Sequence, residues 1–466
     1  MGSTIFRKRF LSLALAVILL AALFAACDAG GGKAGGGGGA KAGGGDGGVS
    51  GKVSISIAGA VLEDGINPIT GGTTRGLTSF FEANFKPKYP NIQYSISIVP
   101  WETYIAKQRT QLSAKEIDVV SAGGAEAIFW NEGLIRDIED LLAADKDFQP
   151  ETIYPAGIWK SNTHVTSEDG KHFALPMLLG RRMTVYDAKI FDDWGVEPLG
   201  EKPTPDEILE KAKRMTGINP VTGEQNYGLY FSGNSYDSPL FRALTYYYEA
   251  PGASGRLTDI KNLKWEINTD KMAKVLEWMA EATRYCNPAF INGQGNEKFG
   301  FENNDIAIYL DSGGGEPWNN YTSAKDESIL KRFVPVMNLG PKGEGYVAVD
   351  SVMMAKNPQN IEAAWEVMKF MGSYEYGVWN YEDYQGTPAL KDTKYMDDKD
   401  IYSKMALKIA EYAHPDMLGD DNPFYITDMV PKINAFLSNA ANGQALDIPG
   451  FLQEMQDAAV SWTAAQ

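Results

Sequence analysis

The chain has 466 residues with 43 Lys and Arg against 60 Asp and Glu, a formal net charge of -17, and so negative a body is a poor partner for nucleic acid. A hydrophobic fraction of 44% is enough for packed cores, which excludes disorder throughout. Two cysteines and three histidines exclude a disulfide scaffold and a four-thiolate metal site, and neither a metal nor a cofactor is expected.

Arg7, Lys8 and Arg9 precede an apolar run over residues 10–26 that is broken only by Ser12. This reads as an export signal covering residues 1–26, because its core is shorter than the roughly 20 residues a membrane-spanning helix needs. The segment Leu23-Phe24-Ala25-Ala26-Cys27 resembles a bacterial lipobox, departing from it at Phe24, where an aliphatic residue is usual. Cys27 is therefore the expected lipidation site, and the mature protein is expected outside the cytoplasm, anchored to the bacterial cell membrane. Removing the signal takes away three basic and no acidic side chains, so acyl chains rather than charge would hold it there. Residues 27–51 combine that cysteine with a mostly glycine tract that reads as a flexible linker. It is no phosphate loop, since no strand precedes it and no Gly-Lys-Ser/Thr ending follows.

From residue 52 the pattern turns globular. Val53, Ile55 and Ile57 alternate with Ser54 and Ser56, predicting a first strand before Gly59. Leu77, Phe80, Phe81 and Phe85 follow at helical spacing, and Pro87 and Pro90 close that helix. Ile92, Tyr94, Ile96 and Ile98 then alternate again, and after a polar helical stretch over 102–114 comes a third apolar run, 117–120. Strand, helix, strand in repetition favours an α/β fold with a mainly parallel sheet and helices on its faces. Further on, Thr204-Pro205-Asp206-Glu207 is a capped helix start, with Ile208, Ala212 and Met215 as its buried stripe. Met272, Val275, Leu276, Met279 and Ala282 make a second stripe, and Ile361, Ala364, Trp365 and Met368 a third. Ile433, Phe436 and Leu437 lie on a helix ending near Asn442, before a last helix from about Pro449. Residues 52–466 are too many for one core and suit two lobes.

Several segments follow one another in a distinctive order: Phe81-Glu82-Ala83-Asn84-Phe85 with Tyr89-Pro90-Asn91-Ile92, Ile117-Asp118-Val119-Val120, Gly170-Lys171-His172-Phe173-Ala174-Leu175-Pro176, and Val185-Tyr186-Asp187-Ala188-Lys189-Ile190-Phe191. Ala363-Ala364-Trp365-Glu366 and Gly386-Thr387-Pro388-Ala389 come after them. Their order resembles the extracellular solute-binding proteins of bacterial ABC importers, in particular the sugar-binding, maltodextrin-binding-like family in lipoprotein form. Asp187 departs from the pattern, where Asn is commoner, and a basic residue that some sugar binders carry near Gly123 is missing. The resemblance implies a two-lobed periplasmic-binding-protein fold with an inter-lobe cleft and a hinge. It places an N-terminal lobe at 52–178 plus 340–374 and a C-terminal lobe at 179–339 plus 375–466. The implied function is capture of a sugar or oligosaccharide and delivery to ABC permease transmembrane subunits, by a monomer that is not an enzyme.

A neutral sugar offers hydroxyls at its edge and a weakly apolar face, so its site needs acceptors and donors around aromatic rings. Loops after the strands of an open α/β sheet line the crevice, which points to Glu63 and Asp64 after the first strand. Trp101 follows the second and Gly123 and Gly124 the third. Arg181 and Arg182 sit beside the expected first crossing between lobes. Asp311 and Trp318 match a region where sugar-binding relatives present a stacking Trp, and Tyr236 and Asp350 follow further apolar strands. Two other readings compete: an exported polysaccharide hydrolase with paired carboxylates, and a binding protein for a peptide or cationic solute, which the acidic composition would suit. No Gly-x-Ser-x-Gly, His-Glu-x-x-His or Cys-x-x-Cys signature supports an enzyme.

Overall fold

The computed structural model describes residues 48–466 apart from 68–69, 232–238, 255–261, 293–302, 311–314, 346 and 413–423. Alternation at Val53, Ile55 and Ile57 builds the strand Gly51–Ala58, which pairs in parallel with Ile92–Val99 on one side and Val119–Ser121 on the other. Parallel pairing requires a crossover, and the helix Leu77–Phe80, running on into a wider π turn over Phe81–Phe85, supplies it. Its aromatic face is buried: the Phe80 ring stacks 4.4 Å from Trp379, and Phe81 meets Phe370 edge-on at 5.1 Å. Three antiparallel strands complete this first sheet, in the order Thr387–Pro388, Ala174–Leu179, Val349–Met354, Val119–Ser121, Gly51–Ala58, Ile92–Val99.

A second sheet of five strands runs Phe333–Val336, Thr184–Asp187, Ile306–Tyr309, Gln225–Tyr230, Gly217–Ile218. The helices predicted from apolar stripes cover it, and Ile208, Ala212, Met215, Met272, Val275, Leu276, Met279 and Ala282 are all buried in one core. Ile361 is the exception among the predicted stripes: it opens the helix Ile361–Met371 and stays exposed, while Ala364, Trp365 and Met368 face inward. At the predicted capped start, Thr204 Oγ accepts from Glu207 N–H at 3.2 Å, and the Glu207 carboxylate takes the Lys211 ammonium at 2.8 Å. Thr204→Ala is expected to remove that one acceptor and lower unfolding free energy by about 1 kcal/mol, read as a shift in urea midpoint at unchanged slope.

Among the described residues, two chain segments pass between the sheets and are bonded to one another. The first is the four-residue link between Leu179 and Thr184, and the second runs from Val336 to Val349. Gly180 N–H donates to the Ala348 carbonyl at 3.0 Å, and Asn338 Nδ2 donates to the Arg182 carbonyl at 3.1 Å.

The first part of residues 375–466, expected in the second lobe, packs on the first sheet. Helix Tyr374–Tyr384 packs through Tyr376 and Trp379 on Phe80, and Thr387–Pro388 is hydrogen-bonded to Leu178 and Leu179 in the first sheet. Helix Ile401–Ala410 packs on both the helix Ala156–Ser161 and the second sheet's strand Phe333–Val336, where the Tyr402 hydroxyl donates to the Phe333 carbonyl at 2.7 Å, while Phe424, Tyr425 and the two last helices bury their apolar faces in the second core.

Candidate functional site

Where the two crossing segments meet the first sheet, a cavity of about 460 Å3 opens. Loops after the second and third strands contribute Trp101, Gly123 and Gly124, the helix Tyr104–Ser113 contributes Tyr104, the first crossing Arg182 and the strand Val349–Met354 Asp350, and Arg242 and Tyr425 reach it from the second core. The volume lies within the range of small-molecule sites, about 300–1,000 Å3.

Trp101 is 49% exposed although it is held on one face. Its indole covers Gly59, where a Cβ would come within 1.8 Å of Nε1, and its ring meets Tyr104 edge-on at 5.4 Å. Tyr104 is fixed in turn, its hydroxyl donating to the Gly123 carbonyl at 2.8 Å. Gly123 is the point of convergence: a Cβ there would lie 2.4 Å from Asp350 Oδ1 and 3.1 Å from the Trp101 ring. Only a residue without a side chain lets an indole and a carboxylate come together over that backbone.

Asp350 was expected after a strand but lies within one, Val349–Met354, at a register shift between Asp350 and Ser351. A bulge of this kind re-aims a side chain, and here Asp350 faces the cavity. Among the described residues none donates a hydrogen bond to its carboxyl. Burial first, and the neighbouring Glu126 carboxylate second, push the Asp350 carboxyl up to about 6, against the pull of His164 and Arg182.

Gly124 has a left-handed backbone, φ +88°, and its N–H donates to Glu126 Oε2 at 2.8 Å. That bond replaces the expected backbone donor to a ligand, because a buried carboxylate takes the N–H first. Glu126 also accepts from Ser351 N–H at 3.2 Å and lies 2.9 Å from His164 Nδ1.

Several other expected contacts lie elsewhere. Glu63 is exposed and does not line the cavity. Asp64 accepts from Gly76 N–H at 2.8 Å, which holds its carboxyl below the usual range and fixes the loop entering the helix at Leu77. Arg181 turns away from the cavity into a buried pair, Nε donating to Ser403 Oγ at 3.1 Å and Nη2 to Asp400 at 3.3 Å. Trp318 is only 2% exposed, packs on Tyr321 and donates through Nε1 to Gln385 at 2.9 Å. An apolar ring on the inner face of the helix Gly315–Ala324 was drawn into the core instead of a ligand. Tyr236, Asp311 and Cys27 fall outside the described residues.

Sequence reading missed Glu126, His164, Arg242 and Tyr425. A signal existed for Arg242, a cation inside the apolar run Leu240-Phe241-Ala243-Leu244, where a buried charge needs a reason. Glu126 looked like an ordinary acidic residue in a helix's first turn.

Residues 70–378 match the family of bacterial extracellular solute-binding proteins. The chain belongs to that family. A protein of Brucella abortus (strain 2308) described as a binding protein is 21% identical over 325 residues, 67% of this chain and 72% of its own length. Among solved structures, the sugar-binding protein MalE from Xanthomonas citri aligns with TM-score 0.67 at 15% identity, covering 89% of this chain and 98% of that one. The ABC substrate-binding protein Lmo0181 from Listeria monocytogenes, in complex with cycloalternan, gives 0.62 at 16% identity over 89% and 99% of the two chains. An ABC transporter solute-binding protein from Agrobacterium vitis S4, with bound D-mannitol, gives 0.62 at 17% over 89% and 98%. These likenesses establish the fold of this extracellular solute-binding protein as two α/β lobes. Among the described residues no helix is long and apolar enough to cross a membrane, and no group of three or more His, Cys, Asp or Glu could hold a metal ion.

Proposed function

We propose that this solute-binding protein captures a sugar, polyol or oligosaccharide in the cavity and delivers it unmodified to the transmembrane subunits of an ABC importer. The observation that carries the reading is the meeting of an exposed indole and a carboxylate over Gly123. An indole face matches the C–H face of a sugar ring, and a carboxylate accepts two adjacent hydroxyls. Structurally similar proteins hold cycloalternan, D-mannitol, alpha-D-tagatose and ribitol, all polyhydroxylated.

The N-terminal lobe in this reading comprises residues 52–178, 340–374 and 375–391, and the C-terminal lobe 179–339 with 424–466. Lobe closure holds the ligand because contacts from both sides favour the closed form by their differential affinity. Cys27 carries the lipid anchor and residues 28–51 form the tether of a monomer at the cell surface. ATP is hydrolysed by other subunits of the importer, and the ligand leaves as it entered.

A thermal-shift screen over monosaccharides, polyols, oligosaccharides, amino acids and peptides tests this. At a hundredfold excess over Kd, a ligand selective for the native fold adds about 2.7 kcal/mol, a shift visible in any melting curve. Polyhydroxylated compounds are expected to give it, recovered chemically unchanged. A response confined to peptides or amines, or release of a cleaved product, overturns the reading.

A further inference from the structure

His164 is among the residues lining the cavity and Glu126 lies against it, both buried, their side chains 2.9 Å apart at Oε2 and Nδ1. Burial pushes the Glu126 carboxyl up, and His164 opposes this most strongly by stabilising its charged form, together with the Ser351 N–H. Ser351 follows Asp350 across the register shift, so the Glu126 carboxylate is bonded to the backbone that aims Asp350 into the cavity.

Resting on the sugar-binding reading, we propose that Glu126 and His164 are positioning residues that keep Asp350 poised between its neutral and charged forms, so that ligand capture is proton-linked. Ligand hydroxyls donate to the Asp350 carboxylate, and the proton it held leaves to solvent. Burial and the adjacent Glu126 disfavour a charged Asp350 in the empty cavity, and two hydroxyl donors restore the stabilisation that water gave it.

Other groups facing Asp350 come from every element around it. Arg182 on the first crossing and His164 favour its charge, and Arg242 lines the same cavity from the second core. Tyr376 lies close enough for the Asp350 charge to act on its hydroxyl, which burial pushes up and keeps neutral, and Tyr104 spends its proton on the Gly123 carbonyl. Glu126 is thus the anionic neighbour in this set.

Carboxyl carbon NMR on protein labelled at aspartate, with Asp350 assigned by the signal lost in Asp350→Asn, reads the charge directly. Its midpoint is expected near pH 6 in the ligand-free protein, and lower in Glu126→Gln, a move that a merely structural role for Glu126 does not produce. Isothermal titration with D-mannitol, ribitol, alpha-D-tagatose, cycloalternan and maltodextrins is then compared at pH 7.5, 6 and 5. Affinity is expected to fall about fivefold from pH 6 to 5, with proton release measurable in buffers of different ionisation enthalpy. If Glu126→Gln does not fold, the wild-type midpoint and pH profile still decide. A midpoint below 4.5, or an affinity indifferent to pH, overturns the linkage and leaves sugar binding standing. No binding by any member at any pH sinks the sugar reading and the linkage together.

Discussion

Asp350→Asn is expected to weaken ligand binding by at least tenfold while making the ligand-free protein more stable at pH 7.5. The loss follows from replacing a charged acceptor of two hydroxyls by an amide, since hydrogen bonds to charged groups contribute about 1.5–3 kcal/mol. The gain has the opposite origin. Asp350 in the folded protein is pushed up to about 6, above the roughly 3.9 of an unfolded chain. Between those values the native state binds more protons than the unfolded one, so stability declines as pH rises through the window. A neutral amide escapes that penalty. The variant should therefore gain about 1–2 kcal/mol at pH 7.5, allowing for partial solvent access, and no advantage should remain below about pH 4. Melting temperature against pH, with and without the best ligand from the screen, checks both halves. Equal loss of stability and affinity would show Asp350 to be structural.

Arg332→Ala is expected to destabilise the second sheet severely, by about 3–5 kcal/mol, because it leaves a charge buried without its counterion. Asp187 is completely buried and ends the strand Thr184–Asp187; its carboxylate takes Arg332 Nε at 2.9 and 2.8 Å and Nη2 at 2.7 Å. Asn304 Nδ2 adds a bond at 2.7 Å, and Lys189 N–H at 2.9 Å makes the same carboxylate the cap of the next helix. Removing both charges is a different operation. The double variant Asp187→Asn with Arg332→Leu keeps the cap and should recover most of the loss, which a double-mutant cycle in urea measures. Additive losses would mean that the two side chains do not act as a pair.

The same carboxylate shows how far sequence could be read. Asp187 stood out as a departure from the Asn usual at its position, but its reason, Arg332, lies 145 residues away and shares no local pattern with it. Local chemistry was legible: the alternation at Val53, Ile55 and Ile57, the stripes at Ile208 and Met272, and the cap at Thr204 depend on neighbours in sequence. Trp101, Gly123 and Asp350, expected from the rule that strand ends in an α/β sheet point at the crevice, and Arg182, expected beside the first crossing, all line the cavity. Trp318 and Arg181 were misplaced for one reason. An aromatic ring and a guanidinium near a cleft serve a ligand or the protein equally well by type, and only the positions of Gln385 and Asp400 decide between them. The family resemblance places residues 375–466 in the second lobe, whereas the aromatic face of Tyr376 and Trp379 packs on Phe80 beside the first sheet.

The bonds between the two crossings, from Gly180 to Ala348 and from Asn338 to Arg182, lie in the same short stretch of chain as Arg182 and Asp350. Trp101 and Asp350 meet over Gly123 and both are carried by the first sheet, so a rotation about that laced pair leaves the indole and the carboxyl fixed to one another. The surface that would travel against them carries Arg242 and Tyr425.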